Sequence, residues 1–258
     1  MTVLSADSLS VRTADGTRLV RDVSLALDHG ETVVVSGPPG SGKTLLTKAL
    51  KGLLDGHDDL VVDGHVHRAG TVGYVFQSPR TQLVRQTVAH DVAFGLENRA
   101  VPVSEIEARI DRYAGILDAE HLLDRSVRAL SGGEATKVAI LGVLVTEPDV
   151  VILDEPIAPL DAPNTRLVLD AVDRLRDRGT AVLVTEHDLR TLLRRADRAL
   201  LLEDGRVTER GPPADLLRAL SAAGVTLPFA TEVALALAGD DPAASVPIPN
   251  DEPEVERP

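Results

Sequence analysis

Glu31-Thr-Val-Val-Val-Ser36-Gly37-Pro38-Pro39-Gly40-Ser41-Gly42-Lys43-Thr44 is the stretch whose reading decides the fold. Its first six residues are a short β-branched run, which predicts a buried strand. Leu45, Leu46, Ala49, Leu50 and Leu53 then recur at helical spacing, and Asp55-Gly56 predicts the end of that helix. Strand, glycine loop and helix in this order give G-x-x-x-x-G-K-[ST] the context it needs as a phosphate-binding loop. Gly37, Gly40 and Gly42, with Pro38, Pro39 and Ser41 between them, let backbone N–H groups converge on phosphate oxygens. The new helix adds its positive end. Lys43 is placed to reach the β- and γ-phosphates of a nucleotide, and the Thr44 hydroxyl to ligate Mg2+. Of 27 basic residues only Lys43, Lys48, Lys51 and Lys137 are lysines, so this chain keeps a compact ammonium where a flexible point charge between phosphates is wanted.

Working outward, Val150-Val-Ile-Leu-Asp154-Glu155 is an apolar strand that ends in two carboxylates. Ligand sites of open α/β sheets lie at the carboxyl ends of strands. Asp154 is therefore a candidate Mg2+ holder, and Glu155 a candidate general base for an attacking water. A solvated acidic turn is the plain alternative, which the upstream phosphate loop disfavours. His187 lies 33 residues after Asp154, behind the next predicted strand, Thr180–Thr185, and so at the same sheet edge, which makes it a candidate γ-phosphate contact; a helix cap or a satisfied turn residue is the plain alternative. Its neighbour Asp188 reads as the N-cap of a helix over 188–197.

Residues 1–30 read as strands with turns, and 61–77 as further strand. Ser104-Glu-Ile-Glu107 spells a capping box, with Ile106, Ile110, Tyr113 and Leu117 on one helical face. Ser131-Gly132-Gly133-Glu134 spells a second, opening a helix stopped by Pro148. A mostly helical segment, about 79–147, thus interrupts a strand-and-helix chain. Helix 164–178 and strand 198–202 follow, so the alternation predicts an α/β fold with a parallel sheet. From Gly239 onward the chain is acidic and proline-rich, which predicts a disordered tail.

Composition excludes several functions. The 258 residues contain no cysteine, which rules out disulfides and thiolate metal sites and fits a reducing compartment. No apolar run is long enough to span a bilayer, and the first residues lack the pattern of a signal peptide. A net charge of −13 argues against broad contact with nucleic acid or anionic lipid.

Alone, Leu130-Ser131-Gly132-Gly133-Glu134 is only a helix start. It stands, however, 88 residues after Lys43 and 23 before Asp154, counting from Ser131, with Gln77 between. This order resembles an ATP-binding cassette: phosphate loop, glutamine loop, signature, acidic strand, aspartate loop at Leu160-Asp161, and switch histidine. The resemblance covers about residues 1–237. It implies a P-loop NTPase with a mixed or parallel sheet core, an N-terminal antiparallel β portion and an inserted helical subdomain. It also implies two cassettes that sandwich two ATPs head to tail, each site joining one phosphate loop to the other subunit's signature. On that basis Lys43, Gln77, Glu155 and His187 are expected to act in hydrolysis. Residues 37–44, Gln77, Ser131, Gly132, Gly133, Glu134 and Asp161 are expected to bind ATP, and Thr44, Gln77 and Asp154 to bind Mg2+.

Gly73-Tyr-Val-Phe-Gln77-Ser-Pro79 and Thr87 through Asn98, together with the Leu216–Leu237 stretch, are similar to the ATPases of energy-coupling-factor importers. That narrower resemblance implies a second ATPase subunit, either another copy of this chain or a related cassette, a transmembrane coupling subunit and a substrate-binding membrane subunit. It places the chain peripherally on the cytoplasmic face of the membrane, and the acidic charge argues against a nucleic-acid partner. The ATPase of another importer or exporter, or a soluble ABC ATPase with a non-transport role, are the rival readings. Three departures stand out. The adenine-stacking aromatic of the family falls near Thr13, Ile157 and Pro159 replace its usual Thr and Gly, and Thr136-Lys137 its Gln-Arg.

Overall fold

The computed structural model describes residues 1–56, 58–239 and 246–249. Most of the predicted tail lies outside them. Two sheets form. In the first, β1 (Thr2–Thr13) is paired antiparallel with β2 (Arg18–Asp28) on one side and β4 (Leu60–Arg68) on the other. The second has six strands in the order β5 (Val72–Val75), β6 (Val150–Asp154), β7 (Ala181–Thr185), β3 (Thr32–Ser36), β8 (Arg198–Glu203) and β9 (Arg206–Gly211). All its pairs are parallel except β8 with β9. The predicted strand 61–77 is thus two strands, one in each sheet.

The inner strands β3, β6, β7 and β8 are covered on both faces, which explains why they read as continuous apolar runs, whereas the edge strand β9 is polar and largely exposed. Side chains alternate across a strand, so neighbours enter different cores. Val33 and Val35 of β3, with Ile152 of β6 and Leu183 of β7, pack with the antiparallel sheet and helix α1 (Lys43–Lys51). Val34, Val151, Leu153, Val182 and Val184 face the other way, into a core built on α2 (Val88–Glu97), α3 (Val103–Ile116), α4 (Gly132–Leu144) and α5 (Ala162–Asp177). Helices α6 (Leu217–Ala222) and α7 (Phe229–Ala238) are the last described helices.

Three local expectations are corrected. Helix α1 ends at Lys51, because Gly52 adopts a left-handed φ of 84° and its N–H turns back to the carbonyls of Ala49 and Lys48. Helix α3 starts at Val103 on Pro102, and its N-terminus shows no side-chain cap, so Ser104 sits inside the first turn. The Pro102 carbonyl takes the Glu105 and Ile106 N–H groups there. No α-helix forms over 188–197. Asp188 accepts the Arg190 N–H only two residues on, and an isolated parallel bridge joins Asp188 to Thr226. Those commitments hold the backbone extended or in turns where a helix would need it coiled. In the tail, Val246 and Ile248 pack against the helical core and the Thr231 hydroxyl donates to the Pro247 carbonyl at 2.9 Å, so this short piece is not free of packing.

Candidate functional site

The carboxyl ends of β3, β6 and β7 meet at the glycine loop. Gly37 is required there: a Cβ would lie 2.0 Å from the Leu202 carbonyl oxygen. Gly42 caps α1 with φ 104°, a conformation that a side chain would strain, and no side chain caps the helix. The first-turn N–H groups of α1 are therefore not taken by a side-chain cap. Lys43, almost fully buried, donates to the carbonyls of Gly37 at 2.8 Å and Pro38 at 3.2 Å. Burial pushes its pKa down, while Glu155, Asp154 and Glu186 pull it back up.

Asp154 is wholly buried at the end of β6 and is held by three hydroxyls. Its Oδ1 accepts from Thr44 at 3.1 Å and Thr185 at 2.8 Å, and its Oδ2 accepts from Tyr74 at 3.1 Å. The Tyr74 hydroxyl also meets Thr47 of α1 at 3.0 Å. Burial, then the negative charge of Asp154, raise the Tyr74 pKa well beyond its ordinary value, so it stays a neutral donor. Glu155 follows at φ 49°, a strained conformation for a residue with a Cβ. Its N–H is fixed by the Thr185 carbonyl and hydroxyl, both at 3.1 Å. Its carboxylate lies 3.9 Å from the Lys43 ammonium and accepts from Gln77 Nε2 at 2.8 Å.

The structure therefore brings Lys43, Thr44, Gln77, Asp154 and Glu155 into one constellation. His187 stands half exposed at the end of β7, its backbone tied to Thr226 on the strap before α7. Ser131, Gly133, Glu134 and Asp161 instead line a second cleft, together with Lys137 and Asn164. There Ser131 caps α4 and Glu134 returns a bond to the Ser131 N–H at 2.7 Å. Asp161 caps α5, accepting from the Asn164 N–H at 3.0 Å. Arg80 donates to the Leu130 carbonyl, which links the glutamine loop to the signature loop. Thr13 ends β1 with its hydroxyl bonded to Asp15.

Sequence reading missed Tyr74, Thr185 and Glu186. Each is a polar residue inside or directly after an apolar strand, and that was the available signal. What each touches is set by strands far apart in sequence.

The residues fit a nucleotide with its cation. Among the described residues, Ser41 Oγ is the only buried side-chain polar atom with no hydrogen-bond partner, and it sits in the glycine loop. Phosphate oxygens would satisfy it. Thr44 and Asp154 offer adjacent hard oxygen donors. Two protein oxygens, completed by phosphate and water, are the donor set Mg2+ favours.

A parallel-rich sheet, a glycine loop opening α1 and an acidic strand beside it define a P-loop ATPase. Residues 20–158 match the ABC transporter family, and the chain belongs to that family as an ATP-binding subunit, an ATPase. It is 44% identical over 236 residues to a Halobacterium salinarum protein named as an ABC transporter ATP-binding protein, covering 88% of this chain and all of that one. It is 36% identical over 236 residues to the energy-coupling factor transporter ATP-binding protein EcfA1 of Halalkalibacterium halodurans, covering 87% of this chain and 84% of that one. Among solved structures, cbiO1 of Clostridium perfringens, part of the ABC transporter complex cbiONQ, superposes with a TM-score of 0.72 at 28% identity over 86% of this chain and 95% of that one. No helix of the described residues is long and apolar enough to cross a membrane.

Proposed function

We propose that this chain drives an energy-coupling-factor importer, working as one of a pair of ATPases held on the cytoplasmic face of the membrane by a transmembrane coupling subunit. A separate membrane subunit would bind the substrate. The observation that carries the pairing is the division of the candidate residues. The phosphate loop, Asp154 and Glu155 gather in one constellation, while Ser131, Gly133, Glu134 and Asp161 line a different cleft. A head-to-tail partner would join each half to its complement. The relatives named energy-coupling factor transporter ATP-binding proteins support the energy-coupling-factor class.

In this reading residues 1–237 form the ATPase domain. Lys43 and the N–H groups of α1 bind the phosphates, and Glu155 accepts the proton of the attacking water. Gln77, bonded to Glu155, steadies that carboxylate. His187 contacts the γ-phosphate. Thr44 and Asp154 would hold Mg2+, which supplies charge neutralisation at the phosphates when bound. The segment 78–98 at the start of the helical subdomain, about 79–147, faces the membrane partner. Val84 is 66% exposed there, beside the Arg85 guanidinium stacked 4.5 Å over Phe94.

Capture of the tagged full chain from detergent-solubilised membranes tests this directly. Recovery of a second ATPase and a transmembrane protein, cross-linked through Arg80, Arg85 or Asn98, is the expected result. A chain that stays wholly in the soluble fraction, or whose cross-links all avoid residues 78–98, would defeat the proposal.

A further inference from the structure

Glu186 is a buried acid that the scheme above does not use. It follows β7 directly and precedes His187. Its backbone is anchored to the end of β3: its N–H donates to the Val35 carbonyl at 3.2 Å, and its carbonyl accepts from the Ser36 hydroxyl at 2.7 Å. Its side chain is 1% exposed. One oxygen, Oε1, accepts the Ile157 N–H at 2.9 Å and so holds the segment that leads from Glu155 to Asp161. The other, Oε2, lies 3.9 Å from His187 Nδ1. That separation is longer than a hydrogen bond, and the half-exposed ring would have to turn toward Oε2 to close it.

The charges around Glu186 come from every side. Lys43 of α1 lies within its electrostatic reach, Glu155 stands at the end of β6, and His187 and Asp188 are on its own segment. The end of β3 contributes Ser36 and the strap before α7 contributes Thr226, neither of which titrates in this range. Burial pushes the Glu186 carboxyl up to about 7. The Ile157 N–H opposes that push, Glu155 and Asp188 add to it, and the His187 N–H also opposes it. An isolated buried carboxylate is costly, so this group gains from a proton or a cationic neighbour.

We propose that Glu186 is a positioning residue for His187: the two side chains hold one proton between them and thereby keep Nε2 of the imidazole protonated, as a donor to phosphate. This rests on the reading of His187 as the γ-phosphate contact. The proton inventory gives the logic. If the proton is on Glu186, the carboxylic acid donates to Nδ1 and the neutral ring carries its hydrogen on Nε2. If it is on the ring, the carboxylate accepts from Nδ1–H and the imidazolium still carries a hydrogen on Nε2. Only when the pair loses the proton does the carboxylate retain Nδ1–H and leave Nε2 bare, a lone pair that phosphate repels. The titration belongs to the pair and not to either residue. The same carboxyl grips Ile157, so the histidine and the aspartate loop are set by one group.

The test is a pH titration of the full chain with 15N-labelled histidine, reading ring tautomers by NMR, with His187 assigned from the signals lost in His187→Asn. Wild type is expected to carry hydrogen on Nε2 below neutral pH and to pass to the Nδ1–H tautomer above it. Glu186→Gln, which keeps an acceptor for Ile157, is expected to abolish that change of tautomer. In parallel, wild-type kcat is expected to fall by about tenfold per pH unit above the transition, with KM steady, and Glu186→Gln to lose that limb. A bare Nε2 in wild type at pH 6.5, or identical His187 titrations in wild type and Glu186→Gln, overturns the proposal. The wild-type measurement stands even if the variant fails to fold. Full ATPase activity in His187→Ala would instead overturn the phosphate role of His187, while the tautomer readout of proton sharing would remain.

Discussion

Helices α1 and α4 both begin in glycine loops, yet their first turns are finished differently. Helix α1 starts on Gly42 with no side-chain cap and no acidic residue in its first turn. Helix α4 starts on Ser131 with a complete capping box, and Glu134 stands in its first turn. Glu134 is further held by Arg125, and its carboxyl is kept below the usual range chiefly by the Ser131 N–H. The positive end of α1 is thus left for a bound anion, whereas that of α4 is partly neutralised by the protein itself. The difference teaches that glycine content alone does not rank two anion sites. What matters is whether side chains already occupy the orphan N–H groups.

Four substitutions break or sharpen this contrast. Lys43→Ala removes the ammonium at the start of α1, and no other lysine stands there: Lys48 and Lys51 lie on its last turn and Lys137 on α4. Losing charge-assisted contacts to two phosphates is expected to weaken ATP binding by at least about a hundredfold and nearly abolish turnover. Equilibrium binding of a fluorescent ATP analogue measures it, and near-normal affinity would remove Lys43 from the site.

Glu155→Gln is expected to lower kcat by about 10²–10⁴-fold while ATP binding persists and a closed dimer accumulates. Size-exclusion chromatography with ATP detects the dimer. Ordinary steady-state hydrolysis by this variant would show that Glu155 is not the base.

Ser131→Ala acts on the α4 side alone. Loss of the cap is expected to lower stability by about 0.5–2 kcal/mol, read by urea melts, and to weaken ATP-driven dimerisation with binding to the monomer unchanged. Weakened ATP binding by the isolated monomer would place Ser131 in the same half-site as Lys43 and contradict the division. The smallest effect is expected from Glu134→Gln, which keeps the cap and removes the charge. Made in the Glu155→Gln background, it should tighten the ATP-bound dimer by up to about fivefold, following a helix-end charge term of 0.3–1 kcal/mol. A weaker dimer would mean that the Glu134 charge helps the contact.

Which parts were legible in the linear chain follows from the range of the forces involved. The glycine loop, the α4 cap and the apolar strands 150–154 and 181–185 depend on residues within one turn or one strand of each other, so neighbouring letters determined them. The expected helix over 188–197 failed for the opposite reason. Asp188 and Leu189 are claimed by Thr226, which lies far along the chain and shows no local mark.

By itself the sequence determined a phosphate-binding strand-loop-helix, a second glycine-started helix with its own cap, and an acidic strand destined for a parallel sheet. Only the tertiary structure decided that Asp154 is held by Tyr74 and Thr185, that Gln77 grips Glu155, and that Glu186 joins Ile157 beside His187. It also decided which neighbour on each central strand faces which core. A local pattern states that a residue is buried or exposed. The partner it meets is chosen by strand order, and strand order is settled by packing over the whole chain.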